Sequence, residues 1–261
     1  MKRYIALFLA CFMLVALVTG CSGSSSSSNS SVAPSSSSSS KVIKIGIFEP
    51  ASGMNGAGGK QETLGIRYAH SVKPKVTIGG VEYTIELVEV DNQSDNSKAG
   101  SAAQQLVSEG VSVVLGSYGS GVSIAAGQIF ADAKIPAIGA SCTNPQVTEG
   151  NPYYFRICFL DPFQGTVMAN FAYDMGLRKA AVLTEAGDDY SVGLGHYFAQ
   201  AFEKLGGSVV NVQFQSGETD FSATMASLVS EGIDVLFAPS SIESAPLIIK
   251  QARNAGLTCP I

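Results

Sequence analysis

Two short hydroxyl-rich stretches carry the residues best suited to holding a small anion. They are Ser117-Tyr118-Gly119-Ser120-Gly121 and Ala140-Ser141-Cys142-Thr143-Asn144. The first leads into a segment from Val122 to Ala133 that reads as a helix. Free backbone N–H groups and the positive end of such a helix favour a negative charge. Hydroxyls of Ser120 and Thr143 can add charge-assisted hydrogen bonds worth about 1.5–3 kcal/mol each. The plainer alternative is that these serines and threonines only cap helices, and residue type alone leaves both open.

Other chemistry is poorly served. Gly119-Ser120-Gly121 lacks the third glycine of a dinucleotide fingerprint, and Gln61 after Gly59-Lys60 breaks any phosphate loop. No G-x-S-x-G elbow and no H-E-x-x-H helix occurs. The two histidines, His70 and His196, are too few for a histidine metal cage, and His196 reads as a surface or packing residue. Glu185, Asp188 and Asp189 read as solvated loop carboxylates. Neither enzyme activity nor a metal or cofactor is expected. Cys142, Cys158 and Cys259 show no metal-type spacing. A Cys142–Cys158 bridge is compatible with the sequence, but all three read as small buried residues.

The elements positioning the hydroxyl loops alternate strand and helix. Expected strands are Val42–Phe48, Tyr83–Val90, Val111–Leu115, Ile135–Ile138, Ala180–Thr184, Val209–Phe214 and Ile233–Ala238. Expected helices are Lys60–Ser71, one capped by Asp95 and ended by Gly110, Val122–Ala133, Phe163–Met175, Val192–Leu205, Phe221–Ser230 and Ser244–Ala255. A glycine-rich loop fills Ala51–Gly59, and an irregular stretch precedes Phe163. Such alternation builds right-handed βαβ units on parallel sheets, whose ligands sit beyond the carboxyl ends of the strands.

An internal repeat points to two lobes. Leu106-Val107-Ser108-Glu109-Gly110 recurs as Leu228-Val229-Ser230-Glu231-Gly232. Each copy is followed by an apolar strand, a polar loop, a helix and a strand start, at Ile135-Pro136 and at Cys259-Pro260-Ile261. The expected fold is α/β, two Rossmann-like lobes with parallel central sheets. The expected lobes are 41–160 and 161–261, the second stopping within the strand that begins at Cys259.

Composition narrows function. Of 261 residues, 46% are hydrophobic and 14% charged, which excludes a disordered chain. Net charge is −5, without a basic patch, so nucleic acid is a poor partner. Lys2-Arg3 precedes an apolar run from Tyr4 to Val18, too short to span a bilayer comfortably but suited to an export signal over 1–20. Leu17-Val18-Thr19-Gly20-Cys21 resembles the lipobox of bacterial lipoproteins. That resemblance implies cleavage before Cys21 and lipidation of its sulfur. Residues 22–40, with 14 serines in 19 positions, would tether the body to the membrane.

Seven stretches occur in a telling order. They are Val113 to Ser123, Ile135 to Pro145, Tyr154-Phe155-Arg156, Gln164-Gly165, Asp188-Asp189-Tyr190, Asp220-Phe221-Ser222 and Gln251-Ala252-Arg253. Together they resemble the leucine/isoleucine/valine-binding family of ABC-transporter solute receptors (periplasmic binding protein type I). The resemblance implies two α/β lobes closing on a small amino acid-like ligand, a branched-chain amino acid first. Ser120, Ser141 and Thr143 would hold its carboxylate, Tyr118 would lie near its side chain, and Tyr190 would close from the second lobe. An aromatic common near Ser241 is replaced here, and so is one near Gly58. The family's acidic partner for the ligand ammonium would lie after Ile261, so weak amino acid binding is expected of residues 1–261. Expected partners are the ligand, ABC permease subunits and the membrane, with the protein monomeric and extracytoplasmic. Alternatives are the ligand-sensing ectodomain of a signalling system, or an amide, urea or aromatic-compound receptor of the same fold.

Overall fold

The first expected strand becomes β1 (Val42–Glu49), a central strand of a six-stranded sheet ordered β2 (Lys75–Ile78), β3 (Val81–Asp91), β1, β4 (Val113–Leu115), β5 (Ala137–Gly139), β6 (Tyr154–Arg156). The structure, a computed structural model, describes residues 41–261. The expected export signal, Cys21 and the serine tract lie outside the described residues. β3 (Val81–Asp91) and β4 (Val113–Leu115) flank β1 in parallel, and β5 (Ala137–Gly139) and β6 (Tyr154–Arg156) continue the parallel run. Helices α2 (Asn96–Ser108) and α3 (Ser120–Asp132) cover one face. Leu106 and Phe130 pack there on Phe48, Val114 and Ala137, with Phe48 and Phe130 edge to face at 5.5 Å. Alternating side chains send Ile45, Ile85, Leu87 and Ile138 to the other face, where an apolar groove of about 570 Å³ opens beside α1 (Gly56–Val72).

The second sheet is β8-β7-β9, formed by β7 (Lys179–Ala186), β8 (Ser208–Gln215) and β9 (Val235–Phe237), all parallel. On one side α4 (Asp161–Asp174) and α5 (Asp189–Lys204) pack through Ala169, Ala172, Phe198 and Phe202. On the other, α6 (Ser222–Glu231) and α7 (Ser244–Asn254) pack through Met225, Leu228, Ile248 and Ala252.

The repeated pentapeptide makes the same bonds twice. Lys44 Nζ pairs with the Glu109 carboxylate at 3.3 Å, and Lys179 Nζ with that of Glu231 at 3.0 Å. The Ser112 N–H donates to the Lys44 carbonyl at 2.8 Å, as the Asp234 N–H does to Lys179 at 2.7 Å. The Val114 N–H donates to the Pro136 carbonyl at 2.9 Å, and the Leu236 N–H to that of Pro260 at 3.0 Å. Matching positions therefore seat the corresponding strand in both sheets. Residues 259–261 carry that bond without forming a strand.

Several expectations need correction. α1 begins at Gly56, within the stretch expected to be loop. Its glycines serve close packing: a Cβ on Gly59 would lie 2.2 Å from the Pro50 carbonyl oxygen. β2 (Lys75–Ile78), an exposed edge strand, was not expected; it pairs antiparallel with β3 across Gly79-Gly80, both at positive φ, a turn that two glycines accept without strain. The stretch expected to be irregular holds β6 and a 3-10 turn at Pro145–Val147. Among the described cysteines, Cys142 is buried whereas Cys158 and Cys259 are half-buried, and these three are free thiols.

Candidate ligand-binding site

Because β4 and β5 are neighbours, the two hydroxyl loops leaving them meet at one rim of the sheet. The Asn144 N–H donates to Ser120 Oγ at 3.1 Å, which leaves the Ser120 proton free to donate. Ser120 is the first residue of α3 and only 2% exposed. Thr143 is 6% exposed, and its Oγ1 makes no full hydrogen bond within the protein, though it lies beside the buried Asp161 carboxyl and opposes the rise that burial gives that acid. These two hydroxyls, with the N-terminus of α3, suit a carboxylate. Ser141 differs from expectation. Its hydroxyl donates to the Glu62 carboxylate, so that proton is already committed.

The second loop is held from behind by Arg156. Its guanidinium donates to the carbonyls of Cys142 (2.9 Å), Asn144 (2.7 Å) and Pro145 (3.0 Å) and to Thr148 Oγ1 (2.6 Å). A buried acid supports the first: Glu49, closing β1, accepts from the Tyr118 N–H at 2.6 Å. Burial first, then Glu62, pushes the Glu49 carboxyl up to about 10, so it is neutral at pH 7 and bonds to Glu62. Tyr118 lies over Gly58, where a Cβ would come within 2.6 Å of the ring. The tyrosine thus fills the space that a larger residue at 58 would need.

The opposite wall comes from the ends of β7 and β9. Asp188 caps α5, accepting from the N–H groups of Tyr190 at 2.8 Å and Ser191 at 3.2 Å. Ser191 accepts from the Glu185 N–H at 2.7 Å and donates to the Pro239 carbonyl, tying the two loops together. Burial, then Asp161, raises the Tyr190 hydroxyl to about 12, while a bond to Gln164 opposes the shift. Ser241, 3% exposed, donates to Ser244 Oγ at 2.9 Å and accepts from the Ser244 N–H at the start of α7. The walls touch where Asn144 Nδ2 donates to the Asp189 carbonyl at 2.8 Å.

Between the walls lies a cavity of about 620 Å³, a size typical of small-ligand sites. Tyr118, Ser120, Ser141, Thr143, Tyr190 and Ser241 all line it. None of the described lining residues is lysine, arginine or histidine, whereas Asp95, Glu185, Asp188 and Asp189 are acidic. Glu185 corrects the reading of a solvated loop: it ends inside β7 with no exposed surface. Its position was readable, since an acid closing a buried strand at its carboxyl end faces the ligand crevice. Glu49 closes β1 in the same way. The sequence marks Arg156 only through family likeness, because nothing local shows which carbonyls it reaches. Among the described residues no cluster of His, Cys, Asp and Glu suits a metal ion.

Comparison with known proteins agrees with this architecture. The family model described as periplasmic binding protein matches residues 42–260. The Leu/Ile/Val-binding protein homolog 1 of Brucella melitensis is 32% identical over 222 residues, covering 82% of this chain and 58% of its own length. The chain therefore spans little more than half the length of such relatives. A leucine binding protein, LivK, from Thermotoga maritima superposes with a TM-score of 0.79 at 37% identity, over 83% of this chain and 61% of the other. A solute binding protein of an R. palustris ABC transporter, in complex with benzoate, superposes with a TM-score of 0.76 at 27% identity, over 84% and 61%. With a two-sheet α/β body, a cleft at the strand ends and these matches, the chain belongs to the periplasmic binding protein family.

Proposed function

We propose that the protein is the extracytoplasmic receptor of an ABC importer, capturing a small amino acid-like ligand, with branched-chain amino acids first, and delivering it to permease subunits. The observation that carries this reading is the pairing of two buried hydroxyls, Ser120 and Thr143, at the N-terminus of α3, across a cavity from Tyr190. Binding of this kind needs no nucleophile or base, and none is assigned. Ser120 and Thr143 would take the carboxylate, Ser141 would contribute through its backbone and lone pairs, and Tyr118 and Tyr190 would enclose the ligand. Ser241 would form a small, polar part of the wall. Cys21 would anchor the protein by lipid, with 22–40 as tether, two lobes at 41–160 and 161–261, and a monomer as the working form.

Calorimetric titration with leucine, isoleucine and valine tests the reading; saturable binding of at least one supports it. If only acids without an amine bind, such as benzoate, the aromatic-compound reading takes its place, a choice favoured by the tyrosines on both walls. No binding of any carboxylate would refute both. Intact mass of the membrane-extracted protein tests the anchor: the mass of a chain starting at Cys21 plus acyl groups is expected, and an unmodified Cys21 would exclude it.

A further inference from the structure

Two thiols meet behind the loop that presents Ser141 and Thr143. Gly139 and Arg156 are partners across β5 and β6, and the chains stay side by side beyond them. The Ile157 N–H donates to the Gly139 carbonyl at 3.1 Å, and the Asp161 N–H to that of Thr143 at 3.0 Å. Cys142 and Cys158 lie between these two bonds. Ile157 turns into the apolar groove, so alternation sends Cys158 to the opposite side, where α3 packs. Cys142 belongs to the core on that side, and its sulfur fills the space in which a Cβ on Gly139 would stand. The thiols act on each other. Contact with Cys142 brings the Cys158 thiol down to about 7, burial opposing and Arg156 assisting. Contact with Cys158, then burial, pushes the Cys142 thiol up. Cys259 packs instead against the core of the second sheet.

We propose that Cys142 and Cys158 are a disulfide-forming pair, closed by a disulfide donor outside the cytoplasm, whose bridge staples the loop carrying Ser141 and Thr143 to the segment leaving β6. An exported chain meets such donors as oxidised glutathione or as the disulfide of a thiol oxidoreductase. Cys158, half-buried and the readier thiolate, attacks one donor sulfur and forms a mixed disulfide. The other donor sulfur leaves as a thiolate and takes up the proton that Cys158 had released to water. Cys142 then attacks the Cys158 sulfur, and its proton departs on the second donor thiol. Two protein thiols are thereby oxidised to one S–S bond, and one donor disulfide is reduced to two thiols. The bridge grips from its buried side the loop whose carbonyls Arg156 holds. It needs no ligand, so it stands apart from the carboxylate reading.

The test holds the folded full chain, first reduced, with oxidised glutathione or with dithiothreitol. Each sample is quenched in acid, unfolded with N-ethylmaleimide present and digested with trypsin, which cuts after Arg156 and so parts the two cysteines. After oxidised glutathione, peptides 135–156 and 157–178 are expected joined, two hydrogens lighter than their sum, with Cys259 alkylated. Dithiothreitol should leave them separate and alkylated. The linked chain should melt roughly 5–10 °C above the reduced one, because the bridge restricts the unfolded state. In Cys142→Ser the reaction should stop with glutathione on Cys158, the trapped intermediate. Three results overturn the proposal: both cysteines still alkylated after oxidised glutathione, a bridge from either one to another cysteine instead, or a linked chain that melts no higher than the reduced one. A Cys142→Ser chain that takes up no glutathione overturns the order of attack.

Discussion

Arg156 shows how a side chain that need not touch ligand can govern a site. Its planar fork reaches three carbonyls and one hydroxyl within Cys142–Thr148, fixing the loop that presents Thr143. Lysine carries a single charged head and cannot span those acceptors. Arg156→Lys is therefore expected to lose about 2–3 kcal/mol of stability, read from the urea midpoint, and to weaken ligand binding as well. Full stability in that variant would mean the loop holds itself. The hydroxyls were legible in the sequence because residue type and a following helix suffice to mark them. Glu185 was legible in part, as an acid closing a buried strand, whereas Arg156 was not, since its role depends on which carbonyls the fold brings near it.

At the scale of elements, α3 and α5 approach each other where only glycine fits. A Cβ on Gly121 would lie 2.6 Å from Asn96 Oδ1 and 2.8 Å from the Asp189 carboxylate, and one on Gly193 would lie 2.7 Å from Asn144 Nδ2. Both positions are helical, where alanine is intrinsically better than glycine by about 0.5–1 kcal/mol. The added methyl of Gly121→Ala must push Asn96 and the Asp189 carboxylate aside, which outweighs that helical gain, so the variant should lose about 1–2 kcal/mol of stability, read from its thermal midpoint. An unchanged or higher midpoint would show that both side chains yield freely. Most elements were legible from apolar runs and caps: Asp95 does accept from the Ser97 N–H, and the repeated pentapeptide does mark matching strands. β2 escaped because a polar edge strand lacks an apolar run, and the start of α1 escaped because its glycines look like loop until their neighbours are seen.

For the whole molecule, buried acids set the response to pH. Glu49 keeps its proton up to about 10 when folded, whereas the unfolded chain releases it near 4.5. The folded state then holds more protons, so the stability from this group is fully present below about pH 4.5 and is lost as pH rises toward 10. Burial shifts Glu185, Asp188 and Asp161 in the same direction. The depressed carboxylates, Asp91, Asp95, Asp220 and Asp234, titrate below this window. Between pH 6 and 9 one such proton lowers stability by about 1.4 kcal/mol per pH unit, or roughly 3–6 °C in Tm. Scanning calorimetry should show that decline and a shallower one in Glu49→Gln. A Tm that is flat or rising across the window would contradict the buried neutral acid.

The two hydroxyls at the rim of the first sheet can be tested through Thr143, whose Oγ1 makes no full hydrogen bond within the protein and has only the Asp161 carboxyl beside it. Thr143→Val keeps the shape and removes only the hydroxyl. Titrated with leucine against wild type, it should bind about tenfold to a hundredfold more weakly, with an unchanged Tm without ligand. Undiminished leucine affinity in that variant would place the carboxylate elsewhere and contradict the account.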